Sequence, residues 1–280
     1  MFTPRFEPRS LADDQLVSQE GTRVQTWRDL SDVVCAYGSA GPDGWSMELP
    51  RLGTFRLDLA SPDTIRVFAA PGASRERLDD LYRRTVVPLF MQAVGYETLH
   101  ASAVTGSSGV LAFCGERGAG KSTIAYALAR RGFAQYADDT LVLDVGDAAV
   151  TTQPLPFTPR LRPASAAFFN DAGRGHATTG SPEPRPLAGV FILRRAAEGS
   201  RSEVVRLPAS HALPAVLAHA HCFEPENAGA RRRLLQNYLE ISTRVAILEV
   251  TFAPGLDGLD ALLDDMLAAA GEQRTALASA

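Results

Sequence analysis

The sequence contains the run Gly115-Glu116-Arg117-Gly118-Ala119-Gly120-Lys121-Ser122-Thr123. This run matches G-x-x-x-x-G-K-[ST], the phosphate-binding loop (P-loop) whose backbone N–H groups surround an anion, whose lysine reaches the β- and γ-phosphates and whose hydroxyl binds Mg²⁺. Lys121 is the only lysine in the chain, which otherwise uses arginine for its cationic side chains. Because an ammonium and a guanidinium are not interchangeable, this placement favours a nucleotide-binding loop over a chance match. All of 115–123 are therefore candidate nucleotide-binding residues.

The residues around the loop predict an α/β domain. Val110 to Cys114 is wholly apolar, which is typical of a strand covered on both faces of its sheet. Ser122 to Arg131 has helical periodicity, and Gly132 is placed to end that helix. Further strands are predicted within 133–145, interrupted at Asp138-Asp139, and at 187–193 and 245–252, with helices at about 210–219, 228–241 and 256–270.

The first part of the chain has β patterning instead. Apolar and polar residues alternate over 45–49, 55–59 and 64–67, the period of half-buried strands. Short connections predict an antiparallel meander, closed by a helix from about Ser74 to Ala93 that Pro88 is placed to kink. We therefore predict a β-rich N-terminal domain over 1–96 and a P-loop domain over 97–280. Within the second, 151–187 form a long Pro-, Gly-, Ser- and Thr-rich loop, which is either functional or disordered.

Composition narrows the class of protein. Hydrophobic residues make up 45% of the chain and charged residues 21%, so a core can be buried. A net charge of -4 gives no broad basic field and argues against nucleic acid as a main partner. No apolar run approaches the ~18 residues of a membrane span, and no secretory signal is visible, so we expect a cytoplasmic protein without membrane attachment. Cys35, Cys114 and Cys222 do not suggest a disulfide framework or a zinc site.

Two further features carry chemistry that a P-loop alone does not. Asp138-Asp139 follows Lys121 by seventeen and eighteen residues. Such a pair at the end of a strand can hold Mg²⁺ and accept a proton from an attacking hydroxyl, the two roles that phosphoryl transfer needs, or it can be an acidic surface turn. His100 precedes Gly115 by fifteen residues, at the junction of the two predicted domains. A lone histidine there is either structural or part of the site.

Three segments together, 99–104, 115–122 and Ala137-Asp138-Asp139, resemble the catalytic core of HPr kinase/phosphorylase. They are more similar still to the HPr-kinase-like kinases, including those found beside lasso-peptide precursors. The resemblance covers roughly 97–145. A weaker similarity is present at 186–189 and in the C-terminal strand and helix. It implies the P-loop fold of the HPr kinase and phosphoenolpyruvate carboxykinase type, and transfer of the γ-phosphate of ATP to a serine hydroxyl.

The resemblance also implies roles for individual residues. Asp139 corresponds to the general base, Asp138 lies with Ser122 at the metal, and His100 lies near the transferred phosphate and the base. Lys121 and the loop bind the triphosphate. Residues 146–190 contain no counterpart of the His-Glu and Arg-Gly of HPr kinase/phosphorylase, which argues against HPr as the acceptor and against the reverse reaction.

The leading hypothesis is thus an ATP- and Mg²⁺-dependent serine kinase acting on a peptide or protein, for which a lasso-peptide precursor is one candidate. The N-terminal domain would dock this substrate or pack against a second subunit in a homo-oligomer. One alternative is a small-molecule kinase on the same core. The other is a nucleotide-gated regulatory module without phosphotransfer, which would not need a base such as Asp139.

Several other polar residues have two interpretations each. Arg117 can reach a phosphate or point into solvent. Arg160 and Arg162 alternate around Leu161, and we favour their interpretation as solvated arginines of an edge strand. The alternative is that one of them neutralises charge on the transferring phosphoryl group. His219 and His221, near Cys222, are expected to be structural or solvent-facing rather than metal ligands. The run Arg231-Arg232-Arg233 predicts a solvated helix face, with the grip of an acidic peptide as the alternative.

Overall fold

The computed structural model describes residues 3–7, 21–29, 31–155, 157, 161–170 and 183–271, with the backbone alone for 3–7. The chain divides into two compact units. The first comprises Met1–Tyr96 and His221–Leu235, and the second comprises Glu97–Ala220 and Gln236–Ala280. The division at Tyr96 and Glu97 coincides with the predicted boundary, but 221–235, predicted within the 97–280 domain, packs with the first unit.

The first unit is built on a sheet that has six strands over the described residues, in the order β1-β6-β5-β4-β3-β2. Strands β2 to β6 form an antiparallel meander. Its last three strands, β4 to β6, were predicted, whereas β2 and β3 were not. The parallel pairing of β1 with β6, in which Thr3 lies opposite Thr64, was not predicted, because no alternating pattern marks the first residues. The strands are β1 (Thr3–Glu7), β2 (Thr22–Arg28), β3 (Val34–Gly41), β4 (Gly44–Leu49), β5 (Gly53–Asp58) and β6 (Thr64–Ala69).

The predicted closing helix is present in short pieces. It consists of α1 (Arg75–Leu81), a π-helical turn (Tyr82–Val86), α2 (Val87–Met91) and a 3₁₀ turn (Gln92–Val94). The N–H of Val87 donates to the carbonyl of Tyr82, five residues back. Pro88 follows directly and has no N–H to donate, so the irregularity expected at the proline takes the form of a π turn just before it.

An aromatic cluster joins 221–235 to the first unit. The buried ring of Phe223 stacks on Trp45 with centroids 4.2 Å apart and contacts Trp27 at 5.7 Å. The buried side chain of Gln92 fixes the backbone there, since its Nε2 donates to the carbonyl of His221 at 2.6 Å and its Oε1 accepts the N–H of Phe223 at 2.9 Å. This long-range packing explains why the second predicted domain is interrupted.

The second unit contains a mixed sheet of nine strands in the described part of the chain. At its centre β9 and β15 run parallel to β13 on its two sides. The strands are β7 (Glu97–Leu99), β8 (Ala101–Thr105), β9 (Val110–Gly115), β10 (Ala134–Ala137), β11 (Leu141–Val145), β12 (Val150–Gln153), β13 (Arg185–Arg195), β14 (Glu203–Arg206) and β15 (Ala246–Phe252). The helices that follow along the chain are α3 (Lys121–Arg130), α4 (Pro163–Phe168), α5 (Ala209–Leu217), α6 (Ala228–Arg244) and α7 (Leu259–Ala270).

The core of this unit places the P-loop at the end of β9. Helices α3 and α7 pack against β9, β13 and β15 through one cluster of buried apolar side chains that includes Phe113, Ile124, Phe191, Leu248 and Leu263. The predicted apolar strand and the helix after it are thus confirmed. The predicted loop 151–187 carries the end of β12, all of α4 and the start of β13, and its residues 171–182 lie outside the described ranges. No helix in the described ranges is long and apolar enough to cross a membrane.

Candidate active site

The run 115–123 ends β9 at Gly115, makes a tight turn over 116–120 and begins α3 at Lys121, as the motif predicts. Gly118 and Gly120 have φ angles of +94° and +111°, in a region that L-residues with a Cβ seldom enter. A Cβ at Gly115 would lie 2.9 Å from the Cβ of Ala119 and 3.0 Å from the carbonyl oxygen of Leu193, so the backbone there admits only glycine. The turn leads into the N-terminus of α3, which favours an anion.

The ammonium of Lys121 is folded back over the loop. Its Nζ donates to the carbonyls of Gly115 at 2.8 Å and Glu116 at 3.3 Å. Burial lowers the pKa of Lys121 from its ordinary value, while nearby anionic groups, including Asp139 and Asp138, act in the opposite direction. Because an ionised phosphate oxygen is a stronger acceptor for an ammonium than a carbonyl, we expect bound nucleotide to draw Nζ away from these carbonyls.

The carboxylate of Asp138 is bound by two serines, of which Ser122 belongs to the loop motif and Ser102 does not. Oδ1 of Asp138 accepts hydrogen bonds of 2.8 Å from both Ser122 Oγ and Ser102 Oγ. Ser102 lies on β8 and is fully buried, and we did not predict it as a site residue. A signal was available, because Ser102 is a polar residue among alanine and valine, two positions after His100 and so on the same face of an extended segment.

These oxygen atoms fit a magnesium ion. Mg²⁺ is usually held by one or two protein oxygens together with phosphates and water, and the Ser122 hydroxyl and the Asp138 carboxylate are such a pair. The described residues contain no group of three or more His, Cys, Asp or Glu side chains that could hold a metal by themselves. Among the described residues, neither His219 nor His221 belongs to such a group. His219 is half-buried, and its carbonyl accepts the backbone N–H of His100 at 2.8 Å.

His100 and Asp139 are in direct contact. Nδ1 of His100 lies 2.9 Å from the carbonyl oxygen of Asp139 and 3.5 Å from its Oδ1. Since a carbonyl only accepts, this contact assigns a proton to Nδ1. Asp139 has a φ angle of +74°, an uncommon conformation for a residue other than glycine. The hydrogen bond from His100 therefore holds a backbone turn that orients the half-exposed carboxylate of Asp139.

A cavity of about 820 Å³ joins these groups within the second unit. Its volume is in the range of small-molecule and cofactor sites. One part of its wall is polar and carries the Lys121 and Ser122 side chains together with His100 and Asp139. Another part is largely apolar and comes from 252–259, at the end of β15 and the start of α7. Such a division suits a ligand with an anionic end and a less polar end.

Arginines approach the loop from two other elements. Arg195, at the end of β13, donates from Nη2 to the carbonyl of Gly118 at 3.0 Å. Arg162, the residue before α4, has Nη1 only 3.1 Å from the position that a Cβ on Gly118 would occupy. Arg195 was not predicted, and the placement of Arg162 on an edge strand was wrong. Arg160 lies outside the described residues.

The other arginines singled out in the sequence have different outcomes. Arg117 is exposed and lines the cavity, so both of its alternatives stay open. The run Arg231-Arg232-Arg233 is exposed on α6, as expected for a solvated helix face.

Comparison with known proteins finds similarity among solved structures. No family model and no curated protein matches the chain. Among solved structures, it is similar to the "Hpr(Ser) kinase/phosphatase from Coxiella burnetii", with 11% sequence identity and a TM-score of 0.35 over 61% of this chain and 89% of the other. A likeness at that level carries no weight for function.

Proposed function

We propose that the protein is an ATP- and Mg²⁺-dependent kinase that transfers the γ-phosphate to a serine hydroxyl of a peptide or protein. One observation carries the proposal: the P-loop and the aspartate pair, separate in the sequence, come together. Ser122 Oγ donates to Asp138 Oδ1 at 2.8 Å, and Asp139 lines the same cavity as Lys121. The class of acceptor, a serine of a peptide or protein, is inferred from the sequence resemblance alone.

Each residue has a defined task in this reaction. The loop N–H groups and Lys121 bind the phosphates and offset the charge of the transferring group. Asp139 accepts the proton of the acceptor hydroxyl while the hydroxyl oxygen forms a bond to the γ-phosphorus. The bond from that phosphorus to the β,γ-bridging oxygen breaks, and its electron pair leaves on ADP. Mg²⁺ held by Ser122 and Asp138 would neutralise charge on the phosphates.

His100 supports this assignment of the base. Its Nδ1–H bond to the Asp139 carbonyl holds the left-handed turn, and backbone strain of this kind costs roughly 1–3 kcal/mol and concentrates at functional sites. A nucleotide-gated module would bind ATP without needing a carboxylate oriented in this way. We therefore favour phosphotransfer over nucleotide sensing.

The test is transfer of label from γ-labelled ATP in the presence of Mg²⁺. The full chain is incubated with serine-containing peptides encoded beside its gene and, separately, with a panel of small hydroxyl-bearing metabolites. Peptide labelling that falls about 10²-fold or more in Asp139→Asn, the range of general-base effects, supports the proposal. Asp144→Asn is the matched control, because Asp144 lies on β11 and does not line the cavity.

The other outcomes separate the alternatives. Labelling of a metabolite but of no peptide indicates a small-molecule kinase on the same core. Tight binding of ATP that stays intact with every acceptor indicates a regulatory module. Peptide labelling that is undiminished in Asp139→Asn rejects Asp139 as the base.

A further inference from the structure

The guanidinium of Arg162 lies beside the P-loop. Its Nη1, Nη2 and Cζ are 3.1, 3.4 and 3.5 Å from the position of a Cβ on Gly118. Arg162 lines the same cavity as Lys121, Ser122 and Asp139. Within the described residues, no hydrogen bond or ion pair involves its side chain. An exposed arginine with no partner among the described side chains thus faces the loop where phosphates are expected.

The electrostatics agree with this position. Burial is the main cause that lowers the pKa of Lys121, and the positive charge of Arg162 adds a smaller effect in the same direction, weaker than the opposing effects of Asp139 and Asp138. Arg162 and Lys121 are thus like charges near enough to repel each other. A polyanion bound between them would relieve the repulsion and gain charge-assisted hydrogen bonds from both.

Helix α4 holds Arg162 in place through contacts with α3, the helix that begins at Lys121. The hydroxyls of Ser165 and Thr123 are 2.9 Å apart, so α4 is tied to the first turn of α3. At the other end of α4, Arg130 Nη1 donates to the carbonyl of Phe169 at 2.8 Å, and the Phe169 ring packs on Tyr126 with centroids 4.9 Å apart. These contacts position Arg162 relative to the loop.

Arg195 has a different task at the same loop residue. Its Nη2 is bonded to the carbonyl of Gly118, so part of its guanidinium is used in fixing the backbone of the loop. Arg162 makes no such bond and keeps its donors for a ligand. A guanidinium offers five N–H groups in a planar fork that matches phosphate oxygens.

We propose that Arg162 is a catalytic residue that contacts the γ-phosphoryl group and neutralises the charge that it carries during transfer. This inference rests on the proposed function. Arg162 stays protonated throughout and moves no proton, so the bond changes are those given above. Its effect is on the transition state, as for arginines supplied to other nucleotide sites.

The experiment compares the affinity for ADP alone with the affinity for ADP in the presence of Mg²⁺ and aluminium fluoride. Aluminium fluoride is a planar mimic of the phosphoryl group during transfer. Binding is measured by calorimetry on the wild type, Arg162→Ala, Arg162→Lys and Arg206→Ala, and turnover of γ-labelled ATP is measured on the same samples. Arg206→Ala is the matched control, because Arg206 is an exposed arginine on β14 that does not line the cavity. Arg162 is exposed, so its truncation should leave the fold intact.

For Arg162→Ala we expect ADP affinity within about threefold of wild type and the extra affinity for the fluoride complex to be lost. We also expect turnover to fall by about 10³-fold, the lower end for such arginines. Arg162→Lys should recover part of the affinity and part of the turnover, and Arg206→Ala should resemble wild type. If Arg162→Ala matches wild type in both measurements, or if Arg206→Ala loses as much, the proposal is wrong. A wild type that binds neither ADP nor ATP would instead reject the proposed function itself.

Discussion

Replacing Ser102 by alanine removes a donor from the carboxylate at the predicted metal site. Ser102 Oγ donates to Asp138 Oδ1 at 2.8 Å, and its side chain is fully buried. A hydrogen bond to a charged group contributes about 1.5–3 kcal/mol. Because Asp138 is half-buried, water can replace part of the lost bond, and we expect Ser102→Ala to lower the free energy of unfolding by roughly 1.5 kcal/mol, at the low end of that range.

The loss should be visible in two measurements. For a chain of more than 150 residues, 1 kcal/mol shifts the Tm by about 2–4 °C, so thermal unfolding of Ser102→Ala should begin several degrees lower. The Mg²⁺ concentration needed for half-maximal turnover should rise, since loss of a supporting residue of this kind typically costs about 10–100-fold in metal affinity.

Ser242→Ala is the matched control for this prediction. Ser242 is buried as well, but its Oγ donates to the carbonyl of Leu239 within the same helix. Such a local bond adds little to helix stability, so this variant should stay near the wild-type Tm and Mg²⁺ dependence. If Ser102→Ala is indistinguishable from Ser242→Ala in both measurements, the reasoning about Asp138 is refuted.

Three more predictions follow from the same structure. Lys121 is the only side-chain amine, and because burial lowers its pKa, acylation at this site should rise at a lower pH than for an ordinary lysine. Saturating Mg·ATP should protect it, as peptide mass spectrometry would show; equal labelling with and without nucleotide would contradict its position. Gly118→Ala should lower the free energy of unfolding by about 1–2 kcal/mol because φ is positive at this position. The new Cβ should also displace Arg162, so we expect turnover to fall as well. Phe223→Ala should destabilise the first unit by about 3–5 kcal/mol, as followed in denaturant by the fluorescence of Trp27 and Trp45; the exposed Leu235→Ala should change little.

Much of the fold could be predicted because it depends on local pattern. Alternation over 45–49 and 64–67 predicted strands of the first sheet, and the apolar run before Gly115 predicted β9. The glycines of 115–120 predicted a turn that no residue with a Cβ would make. In each case the information lies within one element and its neighbours in the chain.

Features that depend on long-range packing were missed. The segment around Phe223 belongs to the first unit because its ring stacks on Trp45, a contact that no local periodicity predicts. Arg162 was assigned to an edge strand, since the alternation around Leu161 indicates an extended segment and contains no sign of the helix that begins at Pro163. Arg195 is an ordinary arginine at the end of a strand until the parallel pairing of β13 with β9 brings it to Gly118.

The sequence by itself determined the glycine-rich turn between β9 and α3, because the glycines that the turn needs and the single lysine of the chain fall within nine consecutive residues. It also identified His100, Asp138 and Asp139 as candidates through their type and their distance from that turn. Only the tertiary structure decided how these groups meet: Ser102 and Ser122 on one oxygen of Asp138, His100 on the backbone of Asp139, and Arg162 at Gly118. These contacts join residues 16 to 44 positions apart in the chain. They exist because the sheet and helix α3 bring strand ends and a helix start to one place, which a local sequence pattern does not encode.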